Sequence, residues 1–252
     1  MAEKTNTLRL AVLIAAAMNG FALIVVNYWI YTARWTFIET QSQFYFEPPT
    51  ISRAISIDMI GDPFAIWITI SSICLLIGVF LLLRYYWAVR HHLVSPTRSV
   101  RLAMVLVPVI FIVQAFASWG MHTLSVYRFP DYHAMHMVGS FTFFGCQVLV
   151  IVLYTFTNNA FLNDSPNMER LENAGLLNAK WVKFRRNLGL FSVALTLVYL
   201  VLFVAKGQVS YEDFPWVQLA YVTTEPLVIS MFLFVLAFSH VDKFSRQPVD
   251  VS

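Results

Sequence analysis

Six long apolar stretches divide the 252-residue chain, and they constrain its fold more than any other feature. Each reaches or approaches the roughly 20 residues that an α-helix needs to cross about 30 Å of hydrocarbon. Composition agrees, because 58% of the residues are hydrophobic and only 12% are charged, about half the charge of a typical soluble domain. The sequence therefore predicts an all-α, polytopic membrane bundle of six transmembrane helices in a single domain, residues 1–252. The predicted helices are residues 10–33, 64–83, 102–127, 137–162, 187–205 and 214–239.

Lysine and arginine are concentrated on alternate connections between these stretches. Counted from a cytoplasmic N-terminus, 13 basic residues fall inside and 4 outside, the latter being Arg34, Arg53, Arg128 and Lys206. This strong positive-inside bias predicts that both termini are cytoplasmic. The net charge of +3 is then a topology signal, and no nucleic-acid partner is expected. The pattern predicts an integral membrane protein without identifying the membrane.

Glu225 is an acidic residue in the interior of a predicted helix. An ionisable group at this depth costs at least about 2.5 kcal/mol and persists only with a partner or a purpose. Pro226 frees a carbonyl one turn back, and the hydroxyls of Thr223 and Thr224 can occupy the opened hydrogen-bond ladder. We interpret Glu225 either as a structural carboxyl that joins helices or as a proton carrier, general base or ligand-binding group.

A second polar group lies where the third stretch ends and the fourth begins. His122, Asp131, His133 and His136 can share one outer-leaflet layer, and the last two lie on one helix face. This pattern suits a metal site, a carboxylate-oriented base or headgroup recognition. However, no His-Glu-x-x-His signature and no cysteine lies near, and haem-binding bundles usually hold their histidines deeper. We therefore predict no metal or cofactor, apart from a bound phospholipid.

The predicted first outer loop, residues 34–63, combines aromatic residues with conformationally fixed ones. Pro48 and Pro49 impose extended backbone, and a turn at Gly61-Asp62-Pro63 begins the second helix, with the proline near its first position. We expect the loop to pack over the helix ends, either as an interfacial aromatic cap or as a lid over a lipid-sized cavity. The candidate functional residues in the loop are Ser52, Asp58 and Asp62.

The cytoplasmic connections predict a basic collar for anionic headgroups, which the positive-inside rule alone can also explain. Cys74 and Cys146 fall within predicted helices, so no disulfide is expected. The collar residues are Arg84, Arg90, His91, His92, Arg98, Lys183, Arg185, Arg186 and His240.

In order and placement, these features resemble the DRAM/Frag/Sfk family of six-helix membrane proteins, over nearly the full chain. The matching features are Pro-x-Ile-Ser in the first outer loop (Pro49-Thr50-Ile51-Ser52), a histidine, glycine and small residue that open the fourth helix (His136-Met137-Val138-Gly139-Ser140), and a glutamate in the sixth (Glu225). The family contains damage-regulated autophagy modulators and a Golgi protein that remodels GPI-anchor lipids. The resemblance thus implies a role in lipid remodelling, lipid distribution or autophagy.

One segment departs from the family pattern. Many members follow Pro-x-Ile-Ser with a glycine and a Pro-Pro-Glu type segment, whereas here residues 53–58 run on to Gly61-Asp62-Pro63. Asp58 or Asp62 is then the candidate to replace the acidic residue of the family's loop.

Two hypotheses follow from the sequence. In the first, the protein handles membrane lipid as an acyl-remodelling factor or hydrolase: the loop closes an outer-leaflet cavity, His136 or His133 acts as base or headgroup donor, and Glu225 lies deeper as a partner. In the second, it is a non-catalytic accessory or scaffold subunit of a larger membrane complex, since 22 Phe, 11 Tyr and 7 Trp offer contact surface for partners. A transporter or channel ranks third, because no pair of broken helices is evident. The sequence leaves open whether the protein is an enzyme.

Overall fold

A computed structural model of the chain describes residues 2–41, 49–209 and 213–239, with side chains from residue 8 onwards. This part of the chain is helical and contains no strand. Six helices are long and apolar enough to cross a membrane, which confirms the predicted multi-pass helix bundle. The helices are α1 (Ala2–Thr40), α2 (Ile51–Ala54), α3 (Asp58–Val89), α4 (Arg98–Val126), α5 (His133–Leu162), α6 (Ser165–Asn173), α7 (Ala179–Lys206) and α8 (Pro215–Ala237), with a 3₁₀ turn at Arg90–His92.

Several long helices extend beyond the predicted apolar stretches. The largest correction concerns the outer loop: α1 continues to Thr40 and α3 begins at Asp58, so the connection covers residues 41–57 and not 34–63. Arg34 consequently lies in α1, and Pro63 lies inside α3. Hydropathy detects only the hydrocarbon-spanning part, whereas backbone hydrogen bonding can carry a helix on into the interface. Residues 42–48, which include Pro48, lie outside the described ranges.

The six spanning helices form a closed ring in chain order. α1 packs on α3, α3 on α4, α4 on α5, α5 on α7 and α7 on α8, and α8 returns to α1. Short connections favour this arrangement because they make sequential helices antiparallel neighbours. Since the number of spanning helices is even, the start of α1 and the end of α8 lie on the same side of the bundle, which the positive-inside bias predicts to be cytoplasmic.

Polar side chains close the ring between α1 and α8. The amide of Asn19 donates to the carbonyl of Leu236 at 3.4 Å. Further along, the hydroxyl of Ser230 donates to the side-chain oxygen of Asn27 at 2.5 Å. Interhelical hydrogen bonds in membrane proteins stabilise by about 0.6–2 kcal/mol each. They join two helices that come from opposite ends of the chain.

Two glycines allow α4 and α5 to approach each other closely. A Cβ added to Gly139 would lie 2.5 Å from the backbone nitrogen of Leu124, and one added to Gly120 would lie 2.5 Å from that of Phe143. Small residues at such crossings allow two helix backbones to come together. Because Gly139 lies one turn after His136, this contact also fixes the position of the histidine.

On the cytoplasmic side, Asp164 and Asn167 hold the start of α6 against the connection that precedes α4. Asp164 accepts the backbone N–H of Thr97 at 2.9 Å and the amide of Asn167 at 3.0 Å. Asn167 also accepts the N–H of Val94 at 2.9 Å and donates to its carbonyl at 3.1 Å. Burial opposes ionisation of Asp164, but the donors from Thr97 and Asn167 outweigh it and hold its pKa below the ordinary value of 3.8.

Replacing Asp164 with Asn is expected to destabilise the protein by about 1–3 kcal/mol at neutral pH, because asparagine carries no charge and has one acceptor oxygen in place of the two that accept from Thr97 and Asn167. A carboxyl whose pKa falls on folding contributes stability above its unfolded pKa, and that stability is lost as the pH falls through the folded pKa. Thermal unfolding midpoints in detergent should therefore differ most at neutral pH and converge below the ordinary value of 3.8. Asp131→Asn, at an exposed position, is the control and should match wild type. A difference that stays constant down to acid pH would contradict this account.

Arg185 corrects the predicted basic collar. It is fully buried in α7, where its Nε donates to the side-chain oxygen of Asn158 in α5 at 3.3 Å. Because α7 begins at Ala179, well before the predicted residue 187, Arg185 is carried into the bundle. Of the other predicted collar residues, Arg84, Arg90, His91, His92, Arg98 and Lys183 are exposed, Arg186 is half-buried, and His240 lies outside the described residues.

Candidate functional site

A cavity of about 1080 Å³ lies between α5, α7 and α8, with α2 at its outer end. It extends along α5 from His133 to Val148 and along α7 from Val193 to Lys206. At 1.5 Å per residue, its length is about 20 Å. Ligand pockets are typically about 300–1,000 Å³, so this cavity lies at the upper end of that range.

The cavity opens sideways toward the hydrocarbon. Some of its lining residues also form the outer surface of the bundle, with exposed fractions of 61% for Phe141, 59% for Leu197 and 54% for Leu200. At the outer end the lining turns polar and includes Thr50, Ser52, Arg53, Ser56, His133 and His136. The cavity therefore has a polar mouth and an apolar, laterally accessible body.

The short helix α2 forms the outer wall of the cavity and contacts α1 and α8. Ile51, Ala54 and Ile55 are buried. Thr50 caps the helix, because its hydroxyl oxygen accepts the N–H of Arg53 at 3.2 Å. As predicted, this described part of the first outer connection packs against the helix ends.

Glu225 is a buried part of the cavity wall. One of its carboxyl oxygens accepts the backbone N–H of Ile51 at 3.0 Å, which ties α2 to α8. Arg34 in α1 and Lys206 in α7 lie close enough to interact with it electrostatically. Ten residues separate Glu225 from the start of α8, a distance of roughly 15 Å along the helix.

The carbonyl freed by Pro226 is satisfied by Arg34. Proline has no N–H, so the carbonyl of Val222 lacks its helical donor. Arg34 donates to that carbonyl at 3.2 Å. The prediction that Thr223 and Thr224 fill this role is wrong, since each hydroxyl donates to the carbonyl four residues before its own position.

His136 connects the cavity mouth to the α4–α5 connection. Its Nδ1 lies 3.0 Å from the carbonyl oxygen of Tyr127, and its Nε2 lies 2.8 Å from the hydroxyl oxygen of Ser52. A carbonyl can only accept, so Nδ1 carries a hydrogen, and in the neutral imidazole Nε2 accepts the hydroxyl hydrogen of Ser52. His136 is buried and Ser52 is half-buried in the cavity lining. The arrangement is that of an oriented base beside a hydroxyl group.

Aromatic residues and one lysine line the cavity on its α7 and α8 side. The hydroxyls of Tyr199 and Tyr221 are 3.1 Å apart, and their rings stack with centroids 5.3 Å apart. The ammonium of Lys206 lies 3.9 Å from the centroid of the Tyr221 ring. Such a cation–π contact keeps a positive charge at the cavity wall.

The predicted outer layer of histidines and aspartate is divided in the structure. His133 lines the cavity, with its ring 5.3 Å from that of Phe129. His122 instead faces α3, where its Nδ1 lies 2.8 Å from the hydroxyl oxygen of Thr69. Asp131 is exposed, and neither it nor His122 lines the cavity.

Asp58 and Asp62 pair with Arg128. The guanidinium lies 3.0 Å from the carboxylate of Asp58 and 2.7 Å from that of Asp62. These ion pairs hold the start of α3 against the α4–α5 connection. Neither aspartate lines the cavity, so the carboxyl group there is that of Glu225.

Sequence reasoning missed Arg34, Lys206, Tyr199 and Tyr221 as members of the site. Arg34 and Lys206 were counted as outer charges because they lie at the ends of apolar stretches. Their place beside Glu225 could be found only by knowing that α1 and α7 both flank α8 in the closed ring of helices. The tyrosines had no distinguishing motif among 11 in the chain.

Within the described ranges there is no group of three His, Cys, Asp or Glu side chains placed to hold a metal ion. His136 has hydrogen bonds at both ring nitrogens, and His122 faces a different helix.

Fold and site together define a polytopic membrane protein with a deep, laterally open cavity whose polar groups meet at its outer end. Comparison with protein-family models, curated proteins and solved structures finds no significant match. Membership of the DRAM/Frag/Sfk family stays a prediction from the sequence motifs.

Proposed function

We propose that this protein binds a membrane lipid, with an acyl chain in the cavity and the ester and headgroup region at its polar mouth. The observation that carries the proposal is the cavity itself, about 1080 Å³ in volume and open to the hydrocarbon. Its length of about 20 Å exceeds the roughly 15 Å thickness of one leaflet's hydrocarbon, so an acyl chain fits along it.

The polarity of the lining supports a lipid over a water-soluble ligand. The apolar walls on α5 and α7 suit the acyl chains of a lipid. Hydroxyl, imidazole and guanidinium groups collect at the outer end, where the glycerol and headgroup atoms of an outer-leaflet lipid lie. Lys206 and Arg53 supply positive charge along the lining, which suits a phosphate-bearing headgroup.

A role in lipid handling also agrees with the resemblance to the DRAM/Frag/Sfk family. The motif residues Ser52, His136 and Glu225 all line this one cavity. We therefore propose that the protein is a family member whose shared motif residues act on or recognise lipid. The accessory-subunit alternative would instead leave the cavity without a bound lipid and make stoichiometric protein partners essential.

Filling the cavity tests the proposal. A Cβ added to Gly145, which lines the cavity, meets no atom within 4 Å, so Gly145→Phe should place its ring in the cavity without displacing backbone. Mass spectrometry of lipid extracted from the purified protein should show wild type carrying phospholipid and the variant carrying about tenfold less, the loss that corresponds to about 1.4 kcal/mol.

Gly20→Phe is the matched control. A Cβ at Gly20 also meets no atom within 4 Å, but the residue lies in α1 away from the cavity. Lipid retention in this variant should equal that of wild type. Wild-type protein that carries no lipid, or equal lipid in both variants, would remove the basis for the proposal.

A further inference from the structure

We propose that Ser52 is a nucleophile for an ester-linked acyl chain of the bound lipid and that His136 is its general base. This inference rests on the lipid-binding role proposed above and names its chemistry. It makes the protein a lipid acyl hydrolase or acyltransferase.

Two hydrogen bonds of His136 carry the inference. The Ser52 hydroxyl oxygen lies 2.8 Å from Nε2 of His136, within the roughly 2.6–3.2 Å reach of a nucleophile and its base. The carbonyl of Tyr127 fixes the other ring nitrogen at 3.0 Å and so holds the tautomer in which Nε2 can take a proton. A third group that orients the base is the feature shared by serine nucleophile sites on unrelated folds.

The backbone around Ser52 is held in place by its neighbours. Glu225 accepts the N–H of Ile51, the residue before the serine, at 3.0 Å. The side chain of Thr50 caps the helix turn that contains Ser52. Glu225 is therefore a positioning residue, because it acts on Ser52 through α2 and not on a reacting atom.

The depth of the pair matches the ester linkage of a lipid. Ser52 and His136 lie at the outer end of the cavity, and the apolar body extends about 20 Å inward from them. A lipid whose chain fills the body presents its ester carbonyl near the mouth, since the ester marks the boundary between hydrocarbon and headgroup.

The proposed reaction has two balanced steps. In the first, the Ser52 proton passes to Nε2 of His136 while Oγ attacks the ester carbonyl carbon and forms an oxyanion. The oxyanion collapses, the bond to the lipid's alkoxy oxygen breaks, and that oxygen takes the proton from His136 and leaves as a lysolipid alcohol. In the second, water or the hydroxyl of an acceptor gives its proton to His136 and attacks the acyl-Ser52 carbonyl, and Ser52 leaves with that proton. One acyl chain is hydrolysed or transferred, with no oxidation or reduction.

The test uses the full-length protein in lipid nanodiscs treated with a long-chain alkyl fluorophosphonate, which phosphonylates activated serines. Peptide mapping of wild type should find the adduct on Ser52, a result that needs no variant. His136→Ala should lower the rate of labelling by about 10²-fold or more, the usual contribution of a general base.

Ser72→Ala is the control. Ser72 lies in α3 and does not line the cavity, and its hydroxyl donates to the backbone carbonyl of Thr69 at 2.8 Å. Labelling of Ser52 should be unchanged in this variant. Copurified lipid, measured in every preparation, shows that each variant keeps the folded cavity.

The outcomes separate this inference from lipid binding. Bound lipid without a Ser52 adduct overturns the nucleophile and leaves lipid binding intact. An adduct on another serine, or labelling of Ser52 at an equal rate in His136→Ala, also overturns it. A Ser52 adduct in protein that never carries lipid overturns the acyl-lipid substrate, because the cavity would then lack the ligand on which the inference rests.

Discussion

Replacing Glu225 with Leu is expected to destabilise the protein by about 2–3 kcal/mol, the upper part of the cost of leaving a buried donor without its acceptor. The N–H of Ile51 loses its acceptor, and Arg34 and Lys206 lose the carboxyl group that lies near them. Leucine fills similar space but offers no acceptor, so α2 should detach from α8. Heat unfolding in detergent measures the stability loss, and hydrogen exchange at the Ile51 amide reports the detachment.

Two further variants isolate the cause. Glu225→Gln keeps an oxygen that can accept from Ile51, so its loss should be smaller and α2 should stay protected from exchange. Thr223→Leu, at an exposed position in the same helix, should stay within about 0.5 kcal/mol of wild type. Equal stability of the Leu and Gln variants would show that the bond to Ile51 does not hold α2 in place.

The second large loss of stability is expected where α4 and α5 cross. Gly139→Ala is expected to cost about 3 kcal/mol, at the upper end for an overpacked core, because the new Cβ would lie 2.5 Å from the backbone nitrogen of Leu124. Backbone atoms cannot rotate away, so the helices must separate. The separation would also displace His136 from Ser52, and fluorophosphonate labelling should slow along with the fall in thermal stability.

The matched control is Gly145→Ala in the same helix. A Cβ there meets no atom within 4 Å, and alanine favours helix over glycine by about 1 kcal/mol. This variant should be as stable as wild type or slightly more stable. If Gly139→Ala and Gly145→Ala destabilise the protein equally, the loss would come from replacing any glycine in α5 and not from the close approach of α4.

Helix content was predictable because the physical cause is local. Each apolar stretch must form a helix to satisfy its backbone in hydrocarbon, whatever its neighbours do. The cost of an ionisable group in hydrocarbon likewise singled out Glu225, whereas Ser52 and His136 became candidates through the loop and helix-four patterns and the family resemblance. Helix ends were less predictable, and Arg185 shows why: a charged residue enters the bundle when Asn158 on another helix offers an acceptor.

The hydrogen-bond partners of individual side chains could not be predicted from the sequence. The sequence placed two histidines in one layer at the outer end of the bundle, yet His122 contacts Thr69 and His136 contacts Ser52. Similarly, the donor for the carbonyl freed by Pro226 comes from Arg34, 188 positions away along the chain. Such pairings depend on which helix faces meet, and that depends on packing.

By itself, the sequence determined six helices long and apolar enough to cross a membrane and a carboxyl group, Glu225, within the last of them. It could do so because the cost of placing backbone or charge in hydrocarbon applies to each segment alone. Only the tertiary structure decided that Ser52, His136 and Glu225 share one cavity. Their meeting requires α2, α5 and α8 to come together at the outer end of a closed ring, and that ring is held by contacts between residues far apart in the chain.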